Sequence, residues 1–136
     1  MHPIHESLER VSDRAGDLTL LVYARLFADH PAMERLFWRD TSGAVKGEML
    51  ARVFEIILDF IGDNRYAANM VRCEVVTHAG YDVPPEVFRT FFGTVAATIR
   101  GAMGDEWTPD YDAAWTKLLA ELDWFVTHPD QGEPAR

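Results

Sequence analysis

A single cysteine, Cys73, stands in the whole sequence, so no internal disulfide can form. Basic side chains are scarce too: 13 Lys and Arg face 22 Asp and Glu, for a formal net charge of −9. Phosphate backbones and anionic lipid surfaces are bound through cationic side chains, so this balance excludes nucleic acid and membrane as partners. No apolar run approaches the roughly 20 residues that a spanning helix needs. The stretch Met1 to Ser7 has no apolar core of a signal peptide, and the cytoplasm is the expected compartment. Missing as well are internal repeats, low-complexity segments, a phosphate loop, a Cys-pair metal site and a Ser/His/Asp order. The alternation of a half-buried strand is found nowhere.

What is present is helical periodicity. The 136 residues, 48% of them apolar, suffice for one domain with one core. We expect residues 1–136 to be a single all-α domain of about seven helices, with its core over residues 6–127 and a polar tail over 128–136. Leu8, Val11 and Ala15 share a face over residues 5–15. Gly16 and Asp17 break that helix. Leu18, Leu21, Val22 and Leu26 then line a helix over 17–29, which His30-Pro31 ends because the residue before proline disfavours helical φ/ψ. A short turn carries Met33, Leu36 and Phe37. Residues 38–43 form a loop in which Thr41 or Ser42 caps the next helix. That helix places Met49, Val53, Ile56, Ile57, Phe60 and Ile61 on one broad stripe and stops at Gly62-Asp63-Asn64.

The next helix, over 65–78, ends on His78. Gly80 suits a cap at positive φ, and Pro84-Pro85 suits the first turn of the helix beyond. Phe88, Phe91, Phe92, Val95, Ile99 and Met103 keep helical spacing until Gly104. Thr108-Pro109 opens the last helix as N-cap and first residue, and Tyr111, Trp115, Leu118, Leu122 and Phe125 form its face until His128-Pro129. His78 thus occupies the last turn of a helix between apolar segments, where an imidazole can hold something in a cavity. The other histidines are less promising. His2 and His5 are read as a disordered pair without a third ligand, His30 as exposed, and His128 as lying past the last helix. Cys73 is read as a small buried apolar residue.

The residues Tyr23-Ala24-Arg25-Leu26-Phe27, His30-Pro31, Leu36-Phe37, His78-Ala79-Gly80, Val83, Pro85-Glu86 and Ala114-Trp115 fall in an order and at a spacing that resemble a globin. More narrowly, the chain resembles the bacterial single-domain globins and the globin half of flavohaemoglobins, over roughly residues 6–127. The resemblance implies a globin fold around a haem pocket, with haem b as the cofactor. It makes His78 the proximal iron ligand, and a neutral imidazole is a good donor to haem iron. It places Phe37 flat against the haem, with Val53, Val83, Phe88 and Phe91 as apolar walls. Tyr23 falls at the distal position, where its hydroxyl would donate to iron-bound oxygen. The bland reading beside it is a core tyrosine with its hydroxyl at the surface.

A count back from His78 without gaps puts Lys46 at the distal gate and Leu50 one turn further in. Burial penalises an ammonium, so Lys46 is expected to swing outward and pair with a haem propionate. Gly47 is the alternative gate, and Met49 or Lys46 a possible sixth iron ligand opposite His78. Two departures from the resemblance concern the proximal side. Phe88 stands where flavohaemoglobins place a tyrosine, and the nearest match to their proximal carboxylate is Asp130 in the tail. Glu74 lies one turn before His78. It could accept the proton of the outer ring nitrogen, or it could face water; the cost of burying an unpaired carboxylate favours water.

The functional expectation is a cytoplasmic haem globin that binds O2, and NO and CO, reversibly, with nitric oxide detoxification if an external reductase supplies electrons. The alternative is a gas-sensing or haem-free globin-fold module acting on a separate partner. Neither composition nor periodicity speaks to the oligomeric state.

Overall fold

The structure, a computed structural model, describes residues 2–81, 83 and 85–128. Six α-helices follow one another: α1 Pro3–Ala15, α2 Thr19–Asp29, α3 Ala44–Ile61, α4 Ala67–Gly80, α5 Pro85–Met103 and α6 Pro109–Thr127. Two 3₁₀ segments, Pro31–Phe37 and Gly104–Glu106, join α2 towards α3 and α5 to α6. There is no strand among the described residues. The all-α expectation of about seven helices is met when the longer 3₁₀ segment is counted with the six.

Most boundaries follow the local signals. Thr108 accepts a hydrogen bond from the Tyr111 N–H and Pro109 opens α6. Gly104 takes a φ of 54° where α5 ends. Other boundaries differ from expectation. The Nδ1 of His2 accepts from the Ile4 N–H, so this histidine is the N-cap of α1 rather than part of a disordered pair. Helix α4 runs two residues past His78, and Gly80 is not at positive φ. The His78 carbonyl instead accepts from the N–H groups of Tyr81 and Val83, which closes the helix beyond Gly80. Asp82, Pro84 and Asp130 lie outside the described residues.

Helix α5 is the spine of the molecule and packs against α1, α2, α4 and α6. Helices are usually apolar on one stripe, and a central one must be tolerant all round. Thr94 and Thr98 are buried on α5 and donate to the Thr90 and Thr94 carbonyls, so their hydroxyls are satisfied within the helix. Val95, Ile99 and Met103 supply the apolar part of the same surface. Leu18, Val22 and Leu26 are buried as expected, together with Tyr23, whereas Leu21, also expected inside, is exposed beside Leu20. Cys73 is exposed as well, because the buried stripe of α4 is Ala67, Val71 and Val75, and position 73 falls opposite it.

Helices α1 and α6 are tied by a buried polar contact. The indole N–H of Trp115 donates to the Ser7 hydroxyl at 3.0 Å, and Ser7 in turn donates to the Ile4 carbonyl at 2.7 Å. Both side chains are almost wholly buried, so neither group has water as an alternative partner. Ser7→Ala is expected to leave the indole N–H unpaired and lower stability by about 1–3 kcal/mol. Urea unfolding of the two proteins at equal slope would show this, and an unchanged midpoint would mean that the indole finds another acceptor.

Candidate functional site

One crevice runs between α3 on one side and α4 with the start of α5 on the other. It has two lobes, of about 510 and 300 Å3. Val45, Met49, Glu74, His78, Phe88 and Phe91 line both lobes, so the two are parts of one space. Each lobe falls within the roughly 300–1,000 Å3 of small-molecule and cofactor sites. No group of three or more His, Cys, Asp or Glu able to hold a metal ion occurs among the described residues. An ion here would need ligands from something other than a cage of side chains.

The best-defined group in the crevice is His78. Helical spacing continues the buried stripe of α4 from Val71 and Val75 to position 78, which turns the imidazole inward. Its Nδ1 lies 2.8 Å from the Glu74 backbone carbonyl. A carbonyl can only accept, so Nδ1 must carry the proton. The Nε2 lone pair is then free, with no protein partner among the described residues. This is the arrangement that metal-binding histidines adopt, one nitrogen fixed by a hydrogen bond and the other offered as ligand. The Phe88 ring lies 5.0 Å from the imidazole centroid and limits its rotation.

Behind the crevice is an aromatic cluster. Tyr23 packs against Phe27, Phe37 and Phe91, with ring centroids 5.5 to 5.9 Å apart. Its hydroxyl is buried and has no hydrogen-bond partner. Burial pushes this phenol well above its usual pKa, and the Asp40 carboxylate pushes the same way, so the group is neutral and a donor at any ordinary pH. An orphaned donor in an apolar wall is unusual enough to need an explanation. Tyr23 does not itself line either lobe; Phe37 and Phe91, which cover it, do.

Of the residues singled out from sequence, Phe37, Val53, His78, Val83, Phe88 and Phe91 line the crevice, whereas Lys46 and Leu50 do not. The face that α3 turns to the space begins Val45, Met49, Arg52, Val53 and Ile56, one residue earlier in register than the count from His78 gave. Leu50 and Ile57 go to the core instead. Asp40 sets this register. Its carboxylate accepts from the backbone N–H of Val45 and Lys46 and pairs with the Lys46 ammonium at 3.3 Å, beside the Phe37 ring. Lys46 is therefore drawn in toward the loop rather than swung outward, and Asp40 does most of the capping assigned to Thr41 or Ser42. Glu74, too, is not simply in water. One carboxylate oxygen is 3.4 Å from His78 Nδ1 and the other 3.5 Å from Arg52. Sequence reasoning missed Val45, Asp40 and Arg52 altogether. The Asp40 capping signal was legible, since an aspartate a few residues before an apolar periodic run is a good cap.

The residues present fit a haem. The space is largely apolar, one imidazole nitrogen is free within its walls, and an unsatisfied hydroxyl lies behind the aromatic side. Arg39 and Arg52 stand at the edges, where anionic substituents could be met. The comparisons agree. The globin family model matches residues 20–123, which span α2 through most of α6 and contain every group just described. Cytoglobin-2 of Danio rerio is 23% identical over 137 residues, covering 91% of this chain and 76% of that protein. The chain belongs to the globin family, whose members bind haem and diatomic gases.

Two outcomes follow from this geometry. Tyr23→Phe removes an unpaired buried hydroxyl, so in the haem-free chain it should leave stability unchanged or raise it by up to about 1 kcal/mol; a clear loss in denaturant unfolding would mean that the hydroxyl has a partner. Asp40 gives a pH dependence. Burial acts to raise its pKa, but the Lys46 and Val45 N–H groups and the Lys46 ammonium outweigh it and hold the carboxyl below 3.8. A depressed folded pKa contributes stability above the unfolded value that is lost as pH falls through the folded one. The melting temperature of the native protein should exceed that of Asp40→Asn at pH 7, and the gap should close as pH falls below 3.8.

Proposed function

We propose that the chain binds haem b, with His78 as the protein ligand to the iron, and that the bound group takes O2, NO and CO reversibly. The observation that carries this reading is the 2.8 Å hydrogen bond from His78 Nδ1 to the Glu74 carbonyl, which leaves Nε2 as a free donor in an apolar crevice. When bound, haem would supply reversible gas binding and, with electrons from an external reductase, oxidation of nitric oxide to nitrate. The chain's own residues would shape that chemistry. Phe37, Val53, Val83, Phe88 and Phe91 would exclude water and give the ring flat apolar walls. Val45 and Met49 bring no hydrogen-bond donor from α3. Tyr23 would then be the distal donor, which requires its hydroxyl to reach past Phe37 and Phe91 when the pocket is filled. A hydrogen bond to a polarised ligand contributes roughly 1 kcal/mol, more when the acceptor carries charge, and slows ligand release.

Lys46 is held by Asp40 and would contribute its stem to the pocket rim rather than its charge, and Leu50 would support the wall from behind. The likeness to bacterial single-domain globins belongs to this proposal, as do the single-domain organisation of residues 1–136 and a cytoplasmic location. No helix among the described residues is long and apolar enough to cross a membrane.

The protein expressed with haem should show a strong Soret band, and His78→Ala should lose it until imidazole is added. An unchanged Soret and ferrous–oxygen spectrum in that variant would rule out His78 as the ligand. Native protein that takes up no haem would leave the alternative of a haem-free interaction module.

A further inference from the structure

The Arg52–Glu74–His78 contact crosses the crevice, and nothing in the gas-binding reading requires it. Arg52 is on α3 and the other two on α4. The two oxygens of one carboxylate are divided between them, one at 3.5 Å from the guanidinium and one at 3.4 Å from His78 Nδ1. The carboxylate is three-quarters shielded from solvent, whereas Arg52 is more than half exposed. The primary acceptor for Nδ1–H is the Glu74 carbonyl at 2.8 Å. The carboxylate adds a negative charge behind the same proton.

We infer that Glu74 is a positioning residue for His78, and that Arg52 sets how strongly it acts. This rests on the reading of His78 as an iron ligand. A carbonyl acceptor alone orients the imidazole. An anionic oxygen at the same nitrogen draws the Nδ1 proton outward and pushes electron density toward Nε2, which strengthens Nε2 as a donor and favours the more highly charged ferric iron. Arg52 pulls on the other carboxylate oxygen and opposes that push. The two residues therefore form an opposed pair, and removing one should act in the reverse sense to removing the other. The Phe88 ring fits this account: its position offers His78 no hydroxyl, so a carboxylate from the preceding turn is the charged group beside the imidazole.

The test uses protein loaded with haem b. Two quantities are read: the ferric–ferrous midpoint potential, and the iron–imidazole stretching frequency of the ferrous form by resonance Raman. Glu74→Gln keeps the shape and removes the charge. It should shift the ferric–ferrous equilibrium about tenfold toward ferrous, which is about 59 mV for a one-electron couple, and lower the stretching frequency. Arg52→Gln should move both quantities the other way. Shifts of the same sign in both variants would overturn the inference, because that pattern is loss of packing. A moved potential with an unmoved stretch would also overturn it, because the charge would then act through space and not through the imidazole. Haem-loaded variants unmoved in both would sink this inference alone; protein that binds no haem would sink it together with the reading it rests on.

Discussion

The hydrogen bond from His78 Nδ1 to the Glu74 carbonyl is the contact on which the site depends. It is local, four residues apart on one helix, and it adds a second donor to a carbonyl that lies within the hydrogen-bonded body of α4. One bond does two things: it selects the tautomer, and it aims the second nitrogen away from the helix. The His78 carbonyl meanwhile accepts from Tyr81 and Val83 and turns the chain toward α5. The corner that ends α4 and the imidazole that faces the crevice are therefore set by the same residue.

The rest of the fold holds two walls around that nitrogen. Helix α5 is the frame: it carries Phe88 and Phe91 into the crevice and packs on α1, α2, α4 and α6. Helix α3 forms the facing wall, with its register pinned by Asp40 at its N-terminus. Tyr23 packs on the frame through Phe91 and on the 3₁₀ segment through Phe37, and keeps an unpaired hydroxyl in the process. That unpaired group works against stability in the empty chain and gains a purpose only when something polar enters the space. Function and stability pull in opposite directions there, as they do at many binding sites.

The helices were legible because apolar residues recur at helical spacing and because breakers such as Gly62, Gly104 and the Thr108-Pro109 cap sit between them. Family membership was legible from the order of a few landmarks, of which His78 and Trp115 are the most informative. What could not be read was rotation. A one-residue change of register on α3 exchanges Lys46 and Leu50 for Val45 and Met49, and helical spacing alone does not choose between them; the capping bonds of Asp40 to the Val45 and Lys46 N–H groups go with the observed register. Glu74 was a similar case. Its partner Arg52 lies 22 residues away on another helix, and without that partner a carboxylate in the crevice looked too costly. Cys73 and Leu21 show the same limit, since apolar character says that a residue can be buried and not that it is.

The most direct measurement is the tautomer of His78 in the haem-free protein, read from long-range ¹⁵N–¹H correlations to the imidazole carbons' protons. The account predicts a neutral ring protonated on Nδ1, with Nε2 showing the shift of an unprotonated nitrogen. A ring protonated on Nε2 would contradict it, because the donor to Glu74 and the free ligand nitrogen would then have changed places.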